Sequence, residues 1–384
     1  MDPLLKWARK NQPALIKCIR ELVECESPTD SHGDVTRCAE LLADSFSDIA
    51  DGKLLPTQGA GKTYVCQFRL PGTGKNNADG GILALGHSDT VWPMGTLRTM
   101  PFRKRDGRLW GPGVLDMKSG LAMFAFAMRA LRELDIPVAR PVCMLVNPDE
   151  ETGSLHSRAD TELLASKSRA VLVLEPGTGL AGHAKTARKG IGSYRVTVRG
   201  VAAHSGVDFQ NGASAIVELS RQIAEKIAGF TDLPHGITVN PGVISGGTRS
   251  NVIAAQAETT VDIRVPRARD AAALAKRFQS LRPIDKRCTL EVTGGLNRPP
   301  MERSKGIAEL FTLAKTCAAN LGVTLEESAT GGGSDGNFTA ALGIPTLDGI
   351  GAVGEGAHAA HESVLVDRLA DRVALLARLV AEIH

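Results

Sequence analysis

Aromatic side chains are scarce: three Trp, two Tyr and ten Phe make up 4% of 384 residues. Proteins that bind nucleic acid through base stacking need more aromatic surface than this. The formal net charge is only +3, and no Lys/Arg cluster is interleaved with aromatics, so a polyanionic partner has no electrostatic footprint. No run approaches the roughly 18 apolar residues that would span a membrane. The first residues, MDPLLKWARKNQPALIKCIRELVECESP, lack a signal-peptide apolar core. Instead Leu15, Ile16, Ile19, Leu22 and Val23 recur at helical spacing. Seven cysteines (18, 25, 38, 66, 143, 288, 317) form no CxxC pair and are odd in number, which reads as reduced thiols rather than a disulfide framework. The expectation is a cytoplasmic protein that binds neither nucleic acid nor membrane.

Phosphate-loop chemistry is missing as well. GAGKT (59–63) and GTGKN (72–76) imitate it, but the leading glycine of the motif falls at Pro56 in one and Arg69 in the other. Both read as turns.

What is present is a soluble-protein composition, 43% hydrophobic and 23% charged, on a chain long enough for two domains. Residues 1–187 alternate helical and strand patterns: helices 3–25, 34–49, 118–135 and 157–166, strands 63–69, 82–87, 141–147 and 170–175. That alternation predicts an α/β domain. The segment 188–297 changes character, with strands 192–200, 237–247, 255–266 and 288–295 and helices 211–230 and 269–281. This order is a small α+β module of split-βαβ type. After it, a helix at 305–321, the Gly-rich 329–336, a strand near 344–348 and a helix at 363–383 restore the first pattern. The reading is therefore one catalytic α/β domain, 1–187 and 298–384, interrupted by an inserted lid at 188–297.

Chemistry-bearing residues follow the apolar runs. GHSDTV puts His87 at a strand end with Asp89 two positions on, placed to orient the imidazole as second-sphere carboxylates do. Without a metal, the pair is simply a His–Asp contact. Asp116 follows the sharp turn GPG and precedes a helix, so it is either a helix cap or a carboxylate that bridges two ions. Asp149, Glu150 and Glu151 crowd like charge directly after VCMLV, which costs stability unless cations neutralise it. One of these acids can bind metal while its neighbour moves protons. Glu175 in VLVLEP repeats the pattern, and GEGAHAAHES adds His358 and His361. Open α/β sheets gather their chemistry at the carboxyl ends of strands, so these residues together predict a two-metal hydrolytic site.

In order along nearly the whole chain, GHSDTV, GPG…DMKSG, NPDEETGS, LEP, GVAAHSG, SNV…DIR and GGGSD…GAHAAHE resemble the M20 metallopeptidases, in particular their glutamate carboxypeptidase (carboxypeptidase G2-like) group. The resemblance implies a zinc-exopeptidase-like catalytic domain, a mixed central sheet flanked by helices, and an inserted ferredoxin-like lid that also dimerises. It implies two Zn2+ per chain, with Co2+ or Mn2+ suited to the same ligands. His87 and Glu175 would hold one ion, Glu151 and His358 the other, with Asp116 bridging. Glu150 would be the general base and Asp89 the partner of His87. The family pattern H-x-x-x-E selects His358, paired with Glu362, over His361. Met117 stands where many members carry a second Asp.

From the lid, His204 would help stabilise the oxyanion, and Asn251 and Arg264 would contact substrate, Arg264 by gripping a carboxylate. Gly333 and its neighbours would let the backbone approach the ligand. The implied activity is cleavage of an amide or peptide bond next to a free carboxylate, in a small peptide or N-acyl amino acid, releasing a C-terminal amino acid such as glutamate. An N-acyl-amino-acid deacylase is the alternative. A catalytically inactive metal-binding scaffold is a further one, against which an intact Glu150 argues. A homodimer joined through the lid is expected.

Overall fold

In the computed structural model, which describes residues 2–72 and 80–384, the chain divides into two compact units. The first comprises the described residues up to Ala187 with Arg303–Thr330 and Ser334–His384; the second is Arg188–Glu302 with Gly331–Gly333. The turn expected at GTGKN (72–76) falls largely outside the described residues.

The first unit is built on the apolar run before His87. Along Gly81–His87, Ile82 and Ala84 point into one core cluster, Leu83 and Leu85 into another. This is the period-two alternation of a strand covered on both faces. Its sheet has six strands in the order Ala50–Leu55, Thr63–Phe68, Val142–Asn147, Gly81–His87, Ser168–Val173 and Thr346–Leu347. The first three are antiparallel neighbours, while the Gly81–His87 strand runs parallel to both of its neighbours, and Thr346–Leu347 runs parallel to Ser168–Val173.

One face is covered by the helices Pro3–Glu24, Ser119–Glu133 and Leu369–Glu382, whose apolar residues form one cluster with the sheet. Pro3–Glu24 starts cleanly because the Asp2 carboxylate accepts from Leu4 N (2.8 Å) and Leu5 N (3.2 Å), with Pro3 at the first helical position. Ser119–Glu133 is buried almost all round, as expected of a helix sandwiched inside a core. Among the described residues no helix is long and apolar enough to cross a membrane, and all seven cysteines are free thiols.

A second, small sheet in this unit orders Gly354–Glu355, Ser363–Leu365, Arg108–Trp110 and Arg103–Arg105. It corrects the helix expected at 363–383: Ser363–Leu365 pairs antiparallel with Arg108–Trp110, and the helix begins at Leu369. A short apolar run such as Val364–Leu365 fits strand and helix equally, and the partner strand decides. The Arg103–Arg105 and Arg108–Trp110 strands are joined by Asp106 (φ 53°) and Gly107 (φ 72°), the positive-φ pair of a tight hairpin turn.

The second unit is a four-stranded antiparallel sheet ordered Thr238–Gly246, Gln256–Val265, Gly190–Arg199 and Thr289–Arg298. In chain order that is second–third–first–fourth, the split-βαβ arrangement. Gln256–Val265 alternates buried and partly exposed residues, so one face carries the core. There Tyr194 stacks on Phe278 at 4.0 Å between ring centroids, and Phe230 meets Phe278 edge-on at 5.2 Å. The helix expected at 211–230 starts at Ala215, where Ser214 caps it through Val217 N, and its regular part ends at Gln222 before two irregular turns.

Candidate metal centre

Register delivers the acids and imidazoles to one edge. His87 pairs with Asn147 across the sheet, and Leu85 pairs with Val173. Glu150 and Glu151 follow shortly after Asn147, and Glu175 lies two residues past Val173, level with His87. Asp116 arrives on the loop after the Arg108–Trp110 strand, His358 on the loop between Gly354–Glu355 and Ser363–Leu365. The turn before Asp116 requires glycine: Gly113 has φ 69°, and a Cβ there would stand 2.7 Å from Thr90 Cγ2. His358 adopts φ 62°, a conformation that non-glycine residues rarely hold except where a site is over-determined.

The two carboxylate oxygens of Asp116 face different imidazoles. Oδ1 lies 3.3 Å from His87 Nε2, and Oδ2 lies 3.4 Å from His358 Nε2. Glu175 Oε1 is 3.7 Å from His87 Nε2, and Glu151 Oε2 is 3.2 Å from His358 Nε2. Asp116 and Glu175 thus approach His87, Asp116 and Glu151 approach His358, and Asp116 is common to both imidazoles. Atoms bound at about 2.0–2.2 Å to one tetrahedral ion stand about 3.3–3.6 Å apart; the two Asp116 separations fall in that window, and those of Glu175 (3.7 Å) and Glu151 (3.2 Å) lie just to either side of it. The other Glu151 oxygen, Oε1, is buried with no hydrogen-bond partner, a costly state that a cation relieves. The donor set of imidazole and carboxylate suits zinc, cobalt or manganese, so the residues fit a pair of divalent ions. Two groups have ligand atoms within 4.8 Å of one another: His87, Glu150 and Glu175, and His87, Asp116 and Glu151, so Glu151 lies within reach of both imidazoles. Both glutamates of the acidic triplet thus reach the cluster. His358 and His361 are both exposed, and it is His358 that approaches Asp116 and Glu151.

Electrostatics point the same way. Burial would lower the basicity of His87, yet hydrogen bonds to Asp116 and Asp89 outweigh it and raise its pKa well above the ordinary value. Contacts with Asp116 and Glu151 push His358 up to about 10. Burial would raise Asp116, but His358 and His87 hold its carboxyl well below the usual carboxylate range. Without cations the imidazoles carry the neutralising protons, and bound ions replace them.

The supports are specific. His87 Nδ1 faces the Asp89 backbone carbonyl at 2.9 Å and the Asp89 carboxylate at 3.3 Å, leaving Nε2 for a ligand role. The buried Asp89 carboxylate also accepts from Glu150 N (3.2 Å), Glu151 N (3.1 Å) and Thr29 Oγ1 (2.8 Å). One acid therefore orients His87 and anchors the Glu150–Glu151 turn. Asp149, the first acid of the triplet, turns inward and accepts from His156 N (2.8 Å) and Ser157 Oγ. Asp335 accepts from Asn147 Nδ2 (2.6 Å) and from Ser154 Oγ, bracing the same turn. Thr29 has no recognisable spacing in the sequence, because it acts on a side chain 60 residues away in the chain. Asp116 is not a helix cap: the cap position of Ser119–Glu133 is Lys118, with no side-chain capping bond.

The remaining candidates belong to the second unit. His204 is exposed, and its Nδ1 accepts from Gly206 N and Val207 N, each at 3.2 Å. In the neutral ring this places the proton on Nε2. Asn251 is exposed and its carbonyl accepts from Ser205 N at 3.1 Å. Arg264 gives its Nε and Nη2 edge to Asp262, at 2.9 and 3.0 Å, so the bidentate face expected to meet a substrate carboxylate is already engaged. Gly333 has a packing reason: a Cβ there would meet Ile191 Cδ1 at 2.6 Å and Arg298 Cδ at 2.9 Å.

A carboxylate shared between two imidazole–carboxylate sets, on the carboxyl edge of a mixed α/β sheet, defines a metal-dependent hydrolase of the two-metal kind. The chain belongs to peptidase family M20/M25/M40, which it matches over residues 83–382, and it is a metallopeptidase-class enzyme of that family. It is 28% identical to carboxypeptidase G2 of Pseudomonas sp. (strain RS-16), covering 99% of this chain and 92% of that protein. The solved structure of aminopeptidase PepT from Bacillus cereus ATCC 10987 has a TM-score of 0.82 at 27% identity, covering 97% of this chain and 98% of that one. The YXEP protein of Bacillus subtilis, a dinuclear metal binding peptidase of the M20 family, shares the fold at a TM-score of 0.68 and 15% identity, covering 97% and 99%.

Proposed function

We propose that this enzyme is a di-zinc carboxypeptidase that cleaves an amide next to a free carboxylate and releases a C-terminal amino acid such as glutamate. One observation carries the metal-dependent hydrolysis: Asp116 presents Oδ1 to His87 and Oδ2 to His358. The similarity to carboxypeptidase G2 supports the carboxypeptidase reading. Bound divalent cations polarise a scissile carbonyl and make a nearby water acidic enough to attack it. Glu150 accepts the proton of that water and returns it to the leaving amine. His204, with its proton on Nε2, donates to the developing oxyanion. The free thiols agree with a cytoplasmic location. The deciding experiment compares glutamate release from N-acyl-glutamates with acetate release from N-acetyl amino acids. Faster acetate release across many side chains would favour the deacylase reading.

Arg264 serves as the carboxylate anchor, exchanging part of its contact with Asp262 for the substrate. Arg264→Ala is then expected to weaken KM for acid substrates by about tenfold to a hundredfold, the loss of a charge-assisted hydrogen bond of roughly 1.5–3 kcal/mol. The matching amide substrates should barely change. Equal losses for acid and amide would remove Arg264 from the site.

The second unit also supports a homodimer. Its edge strand Thr238–Gly246 exposes Val243 and Ile244, and the helix Ala215–Gln222 exposes Ile216 and Val217. Ile216 Cδ1 lies within 3.0 Å of the space beside Gly247, so the helix reaches the end of this edge strand. Two copies meeting there would bury it and cap an open edge, with His204 completing the partner's site. After subunit exchange, a mixture of inactive His204→Ala and Glu150→Ala proteins is expected to regain part of the wild-type activity. No recovery despite demonstrated exchange would mean that His204 acts within its own chain or not at all.

A further inference from the structure

Glu362 lies four residues beyond His358 and is fully buried, yet its carboxylate faces backbone amides and an indole rather than a cationic side chain. It collects four donors from the other side of the centre. Oε2 accepts from Gly113 N (3.0 Å) and Trp92 Nε1 (2.8 Å); Oε1 accepts from Leu115 N (2.8 Å) and Asp116 N (3.1 Å). Three of these donors are backbone groups of the single loop that carries Asp116. The acceptor end is tied to the other ligand loop, since Glu362 N donates to Ala359 O at 2.9 Å and Ser363 enters the strand paired with Trp110.

We infer that Glu362 is a positioning residue that locks the Asp116 loop to the His358 loop, setting the geometry of one of the two ion positions. This rests on the two-metal reading above and deepens it. A carboxylate offers enough acceptor sites for four donors without supplying one of its own, which is what three backbone N–H groups and an indole require. The centre is thereby built unequally. His87 and Glu175 ride on adjacent strand ends held by the main sheet, whereas His358 and Asp116 both ride on loops whose mutual register depends on Glu362. Glu151, the third member of that set, is anchored independently by Asp89.

The inference separates from a plain stability role because it selects one ion position. Glu362→Gln keeps the shape but turns an –NH2 group toward two N–H donors whichever way the amide is flipped. In a titration of the metal-free protein with Zn2+ or Co2+, wild type is expected to take up two ions tightly. Glu362→Gln should bind the ion beside His358 about 10–100-fold more weakly, the usual effect of losing an outer-sphere partner, and the ion beside His87 should be affected much less, through the shared Asp116 only. The Co2+ absorption spectrum should change chiefly for the ion beside His358. Leu376→Ala, in the buried core of the same unit, should lower Tm without separating the two ions. Trp92→Phe removes a single donor and should weaken the same ion by a few-fold; it also serves if Glu362→Gln fails to fold. Two tight ions in Glu362→Gln, or in Trp92→Phe when the first variant does not fold, would overturn the inference, as would equal weakening of both ions. A wild-type chain that binds no divalent ion would instead overturn the two-metal reading itself.

Discussion

Glu150→Ala is expected to retain wild-type metal content while turnover falls by about 10²–10⁴-fold, the usual worth of a general base. Its neighbour should behave in the opposite way. Glu151 Oε2 stands 3.2 Å from His358 Nε2, and its Oε1 is buried without a partner, so Glu151→Ala should lose an ion and activity together. Adjacent residues on one short turn thus separate into a proton carrier and a ligand. The experiment measures bound metal and kcat for both proteins. Because Glu150 also groups with His87 and Glu175, the reverse pattern is a meaningful outcome: it would make Glu150 the ligand and Glu151 the base.

Asp116→Ala should be more severe, since one substitution removes an oxygen from each ligand set. Both ions, or one ion and most of the affinity for the other, are expected to be lost, with hydrolysis falling to background. The two imidazoles would also lose their shared acid. His358, pushed up to about 10 chiefly by Asp116 and then Glu151, should titrate closer to its ordinary value, a change that NMR of the metal-free protein reads directly. Two ions retained at wild-type affinity in Asp116→Ala would refute the bridging role.

Much of this centre is legible in the amino-acid sequence alone. His87, Glu150, Glu151 and Glu175 all follow apolar runs, and a parallel strand buried on both faces announces itself as such a run. The strand Val142–Asn147 is expected with nearly its observed bounds for the same reason, and the helix Pro3–Glu24 because its apolar residues recur at helical spacing. The strand Ala50–Leu55 is not: ADGKLL is largely exposed, so it has no apolar pattern to detect. The hairpin around Asp106–Gly107 does carry a signal, the dipeptide that favours a tight turn, but its strands have three residues each, and the first is entirely arginine and lysine. The helix expected at 363–383 starts too early because a three-residue strand inside an apolar stretch has no periodicity of its own.

The supporting network is the least visible part. Asp149 reads like its neighbours Glu150 and Glu151, and only the turn that follows sends it toward His156 N and Ser157. Arg264 reads as a free guanidinium because its partner is two residues away on the same face of the strand, where sequence alone does not reveal pairing.

The first unit is discontinuous: its chain leaves after Ala187 and returns at Arg303. Four of the metal-facing acids and His87 are therefore synthesised before the second unit, and His358 with Glu362 only after it. A nascent chain released at the end of its first segment would hold four of the acids with a single imidazole, His87, to face them. Maturation of the site is thus a late, long-range event in biogenesis. Loading of a second ion would then report that the last stretch of chain has found its place beside the first.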